Sequence, residues 1–142
     1  MQKIATSPDE HLAAFDGVEG ETMAALDAII SRALAGRSRT VWEGTFWGGT
    51  EQHIIGYGDI NQPRPKGPEV EWFAVGLARQ KHHYSIYVNA AENGRYLVAS
   101  YADRLGKVKV GAASIGFKEL TDVNVEVLTE LLLRANELQP GN

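Results

Sequence analysis

Acid–base and metal chemistry in this 142-residue chain falls to four histidines, eighteen carboxylates and fourteen lysines and arginines, because it has no cysteine. That absence removes disulfides, thiolate nucleophiles and Cys-based zinc or iron–sulfur sites. His82 and His83 are adjacent, and on a strand such neighbours point to opposite faces, so they do not chelate one ion together. His53 belongs to a different strand, roughly 9–10 Å away if one strand intervenes, and His11 falls on a helix without a nameable partner. Carboxylates are denser: Asp9, Glu10, Asp16, Glu19 and Glu21 crowd the first helix and its exit. Hard or borderline cations accept such oxygen ligands, iron among them. The same acidic turn also suits the positive end of a helix dipole.

Lys81, Arg104, Lys107, Lys109 and Lys118 are candidates for an anion-binding rim beside an aromatic groove, which would take a carboxylate- or phosphate-bearing molecule. The alternation Lys107-Val108-Lys109-Val110 equally suits a charged edge strand protected from aggregation. For the groove itself, Trp42, Phe46, Tyr57 and Trp72 would supply apolar contact and Lys81 would orient a ligand's charge. Core packing accounts for such rings as well, at about 1.5–3 kcal/mol for each one buried. Gly106-Lys107-Val108-Lys109-Val110-Gly111 is not a phosphate loop: it lacks the Gly-Lys-Ser/Thr ending and follows a helix instead of a strand. No G-x-S-x-G nucleophile elbow is present. Glu43, Glu51, Asp59 and Glu71 work as an acid–base pair only if the fold brings two of them together.

The element that must position these residues is the run 40–58. It reads as two antiparallel strands joined at Gly48-Gly49, which supplies the positive φ angles of a type I′ turn. Alternation puts Trp42, Gly44 and Phe46 on one face, and Gly44 removes a side chain where something comes close. Upstream, Ser7-Pro8-Asp9-Glu10 is a capping box opening a short helix. A second helix is expected over 21–34, with Met23, Leu26, Ile29 and Ile30 at helical spacing. Downstream, 59–68 reads as an exposed loop, 70–77 and 82–89 as strands, and 107–110 and 114–117 as further strand candidates. A third helix is expected from Asn93 or Gly94 to Leu105, and a closing helix over 124–138. Sequential strands with short connections pair with their neighbours, so the sheet is an antiparallel meander of about five strands with helices on one face, an α+β fold.

Length and composition fit one domain over residues 1–142. A net charge of −4 leaves no basic excess to neutralise phosphates, so nucleic acid is not an expected partner. No apolar run reaches membrane-spanning length and the first residues form no signal core, which places the protein in the cytoplasm and away from membranes. Edge strands permit a monomer or a homodimer.

The run Trp42-Glu43-Gly44-Thr45-Phe46-Trp47-Gly48-Gly49, followed by Ile55-Gly56-Tyr57-Gly58 and Gly76-Leu77-Ala78-Arg79-Gln80-Lys81-His82, resembles the YdhG-like family of domains of unknown function. Gly94-Arg95-Tyr96-Leu97 and the segment from Leu105 to Gly111, leading to Ile115-Gly116-Phe117, extend the resemblance over most of the chain. The resemblance implies a small α+β domain with helices on a curved antiparallel sheet and brings no established reaction. Some members are described as frataxin-like iron chaperones, which implies an iron carrier with Asp9, Glu10 and Asp16 as ligands. The leading expectation is a non-catalytic module, without a cofactor, whose groove takes a small anionic ligand or a protein partner. The iron carrier and an enzyme of unrecognised chemistry are the alternatives.

Overall fold

In the computed structural model, which describes residues 1–45, 51–63 and 65–141, the capping box forms as its residues require. The Ser7 hydroxyl accepts from the Glu10 N–H at 3.1 Å, and the Glu10 carboxylate accepts from the Ser7 N–H at 3.2 Å, opening α1 (Pro8–Ala13). The second helix, α2 (Gly17–Ala33), starts a turn earlier than its apolar spacing indicates. Gly17 takes a φ of +58° that glycine reaches without strain, and Gly20 lets the Phe15 carbonyl approach, since a Cβ there would lie 2.5 Å from that oxygen. A short α3 (Leu97–Tyr101) follows much later. Last comes α4 (Val125–Leu138), capped by the Asn124 side chain, which accepts from the Val127 N–H at 3.2 Å. No helix among the described residues is long and apolar enough to cross a membrane.

The strands in chain order are β1 (Gln2–Lys3), β2 (Arg39–Thr45), β3 (Glu51–Gln62), β4 (Val70–Arg79), β5 (Tyr84–Val88), β6 (Ala91–Glu92), β7 (Arg95–Tyr96), β8 (Lys109–Val110) and β9 (Ser114–Phe117). Seven of them form one antiparallel sheet in the order β1-β2-β3-β4-β5-β9-β8. The fold is the expected α+β meander with helices, wider by strands at its two edges. Gln2 and Lys3 pair with Glu43 and Trp42, an addition too short to show as a periodicity. β3 continues to Gln62, paired with Val70, through the first part of the expected loop. β5 begins at Tyr84 instead of His82. The Asn93-Gly94 pair opens no helix: with φ of 54° and 77° it turns the hairpin between β6 and β7, the role such a dipeptide fills best. The Gly48-Gly49 turn lies outside the described residues.

Apolar side chains fill both sides of the sheet. Met23, Leu26 and Ile30 of α2 and Leu128, Leu131 and Leu132 of α4 pack with Ile55, Tyr57, Val75, Leu77 and Ile86 in one cluster. Trp42, Ile54, Phe73, Ala78 and Tyr87 form a second, joined by Met1 and Trp72. Simple alternation fails near Gly58, whose φ is +79°. Tyr57 and Ile60, three apart, both join the helix-side cluster, while Phe73 and Val75, two apart, belong to different clusters. Gly44 does permit a close approach, and Met1 makes it: a Cβ at Gly44 would lie 2.9 Å from the Met1 Cα.

Candidate functional site

The turn between β4 and β5 is closed by the Gln80 N–H, which donates to the His83 carbonyl at 2.7 Å. It presents Lys81, His82 and His83 as exposed side chains. Just beyond it, Ser85 of β5 pairs with Gly116 of β9, which pairs in turn with Lys109 of β8. Residues paired directly across strands share a face, so the three stand side by side. Tyr87 pairs with Ser114, two residues along and therefore on the same face. Gly116 contributes no side chain, and a Cβ there would lie 3.4 Å from the His83 ring. The result is a cleft of about 410 Å³ whose polar lining comes from His82, His83, Ser85, Lys109, Ser114 and Lys118.

No carboxylate is among the described residues that line that cleft. Among the described residues, His82, His83, Lys109 and Lys118 form no ion pair. The concentration of like charge is visible in the His83 imidazole, whose pKa lies below its ordinary value. Burial is the largest cause, followed by the positive charges of Arg79, His82 and Lys109. Lysine ammonium groups without carboxylate partners, beside two hydroxyls, suit an anion, which gains charge-assisted hydrogen bonds from lysine and ordinary ones from serine and the histidine N–H groups. The strand expectation separated His82 from His83. Because both lie on the turn, the opposite-face argument lapses, and both line one cleft.

The residues expected from sequence to form a groove are distributed differently. Trp42 is buried, with its ring centroid 5.6 Å from that of Trp72 and 5.7 Å from that of Phe73. Lys3 Nζ sits 5.5 Å from the centre of the Trp42 ring. Tyr57 belongs to the helix-side cluster, where its hydroxyl donates to Asp27 Oδ1 at 2.7 Å and Arg39 Nη2 donates to the same carboxylate at 2.9 Å. Burial and then the Asp27 charge hold the Tyr57 phenol well above its ordinary pKa. Lys81 lines a separate cavity of about 270 Å³ with His11, Phe15, Glu51, His53 and Arg79. Phe46 lies outside the described residues. The structure thus brings Trp42 and Trp72 together, and it sets Tyr57 and Lys81 apart from them and from each other.

Two of the carboxylates near α1 have partners of their own. Asp9 accepts from Arg39 at 3.3 Å, and Glu10 closes the capping box. Asp16 is the N-cap of α2 without a side-chain cap bond. Among the described residues, no three histidine or carboxylate side chains converge where they would hold a metal ion. His11 does have neighbours: its ring stacks on His53 at 6.0 Å and meets Phe15 edge-on at 5.3 Å. Ser85, Ser114 and Gly116 could not be assembled from sequence, because the pairing of β5 with β9 crosses the intervening hairpin and α3. Compared with protein-family models, curated proteins and solved structures, the chain matches none.

Proposed function

We propose that the protein is a non-catalytic binding domain that takes a small anionic molecule in the cleft between the β4–β5 turn and the β9–β8 edge. Lys109 and Lys118 neutralise the anion, His82 and His83 donate to it, and Ser85 and Ser114 orient it. One observation carries the reading: four basic side chains converge on a cleft of about 410 Å³ with no carboxylate among its described lining residues. The volume lies within the range of small-molecule sites, roughly 300–1,000 Å³. The resemblance to YdhG-like domains belongs to the same proposal: it implies a small α+β domain and brings no established reaction.

Sulfate is the simplest probe. Titrating it into the protein should shift the imidazole NMR signals of His82 and His83 saturably. Lys109→Gln and Lys118→Gln should each weaken the binding by about tenfold, or ~1.4 kcal/mol. Wild-type binding that both variants reproduce unchanged would remove the cleft from consideration.

A further inference from the structure

A third cavity, of about 600 Å³, differs in chemistry from the basic cleft. It is framed by the end of β3, the β6–β7 hairpin and the C-terminus of α4. Strand β5 links the two sites: Ser85 lines the cleft, and Asn89, roughly 13 Å further along by strand rise, lines this groove. None of its ten described lining residues is charged, in a chain where charged residues make up 23%. An ion therefore finds no counter-charge among them.

What lines it instead is carboxamide. Asn61, Gln62, Asn89 and Gln139 each carry two N–H donors and an acceptor oxygen. Only the Asn89 amide is committed within the described protein, donating to the Phe73 carbonyl at 2.8 Å. Gln139 is half-buried at the C-terminal end of α4 and lines the groove with the rest of its side chain, its Oε1 being turned out of solvent reach. Beside these amides stands Tyr96, 41% exposed where Tyr57, Tyr84 and Tyr87 are all buried. The Asn93-Gly94 turn places the hairpin that carries it, and its ring offers an apolar face and a polar tip.

We infer that this groove is a second binding site, independent of the basic cleft, and that its ligand is a neutral sugar ring. A hydroxyl donates and accepts at once, which matches a carboxamide on both counts, and the C–H face of a sugar ring covers Tyr96 as apolar surface. A phosphate or carboxylate meets no cation in the described lining.

The test is an NMR titration of ¹⁵N-labelled protein with maltose, cellobiose and lactose in sulfate-free buffer. The side-chain amides of Asn61, Gln62, Asn89 and Gln139 should shift saturably with at least one of the three, while the signals of Lys109 and Lys118 stay still. Tyr96→Ala should weaken that binding about tenfold, and Tyr96→Phe, which keeps the ring, should retain most of it. Asn61→Leu, at an exposed position that spares the fold, should weaken it too. The inference is overturned by the absence of saturable shifts with all three sugars, by shifts confined to the basic cleft, or by binding that Tyr96→Ala leaves unchanged.

Discussion

At Gly56 and Gly76, paired across β3 and β4, the sheet omits two side chains and two rings occupy the space. A Cβ on Gly56 would lie 2.5 Å from Trp42 Nε1 and 2.8 Å from the Phe73 Cβ, and one on Gly76 would lie 2.6 Å from the Phe73 Cε1. Trp42 is 3% exposed and Phe73 not at all, so neither ring has solvent to swing into. Overpacking of this kind typically costs about 1–3 kcal/mol, occasionally more. Gly56→Ala should therefore fall near the top of that range and lower the Tm by roughly 2–4 °C per kcal/mol. Gly116→Ala is the internal control, because its Cβ would make an ordinary 3.4 Å contact with the His83 ring. It should change stability by no more than ~0.5 kcal/mol. Equal melting temperatures for the two variants would mean that Trp42 and Phe73 do not rest on the glycine pair. The sequence signals at this scale were partly readable: a glycine between large aromatics announces a close approach, but Gly44 alone cannot say that Met1 makes it.

Elements governed by local chemistry could be read directly from the chain. The Ser7 cap and the apolar spacing of α4 depend on residues within a few positions, and the meander follows from short connections. Elements governed by distant partners could not. Gln2 and Lys3 become a strand because Glu43 and Trp42 are there to pair with, and β3 outlasts its apolar run because Val70 and Glu71 extend the ladder. Asn93-Gly94 was expected to open a helix, on the helical spacing of Leu97, Tyr101 and Leu105, and instead turns the β6–β7 hairpin. The docking of α1 is likewise a tertiary matter, and it makes the fold sensitive to pH. His11 packs between Phe15 and His53, and its Nε2 is buried without a partner. Burial lowers its pKa below 6.5, and the neighbouring His53 charge adds to the effect. Glu51, Arg79 and Lys81 line the same cavity, and Glu43 Oε1 lies 3.4 Å from His53 Nε2. The folded state therefore holds the His11 proton more weakly than the unfolded chain does. The associated stability is present above pH 6.5 and is lost as the pH falls through the lowered folded value. Urea unfolding at about pH 7.5 and about pH 5.5 should show a smaller loss for His11→Phe than for the wild type. Identical losses would place the acid sensitivity elsewhere, with His83 the next candidate because its pKa is shifted in the same direction.

Across the whole molecule, charge is sorted by position in the sheet. Asp59, Glu69 and Glu71 line one small cavity, where Lys3 bridges Asp59 at 3.0 Å and Glu71 at 2.6 Å. Lys109, Lys118, His82 and His83 gather at the other site with no carboxylate among them. A net charge of −4 conceals this sorting, since a sum carries no position, and the spacing of Lys109 and Lys118 places them together only once β8, β9 and β5 are in register. Local excess also determines how binding must respond to pH. An anion in the cleft favours the charged imidazolium of His83 over the neutral ring that burial and neighbouring cations favour, so binding and protonation assist one another. Sulfate remains a dianion throughout the range from about pH 5 to about pH 8, which leaves the protein as the source of any change. Its affinity should therefore rise as the pH falls below 6.5, and the rise should be shallower in His83→Gln. Added salt should weaken binding at every pH, because the cleft is open to solvent and the Debye length shortens from ≈ 10 Å at 0.1 M to ≈ 3 Å at 1 M. If sulfate affinity holds constant between about pH 7.5 and about pH 5.5, His83 does not face the anion. The anion's charge would then be met by Lys109 and Lys118, without a titrating histidine.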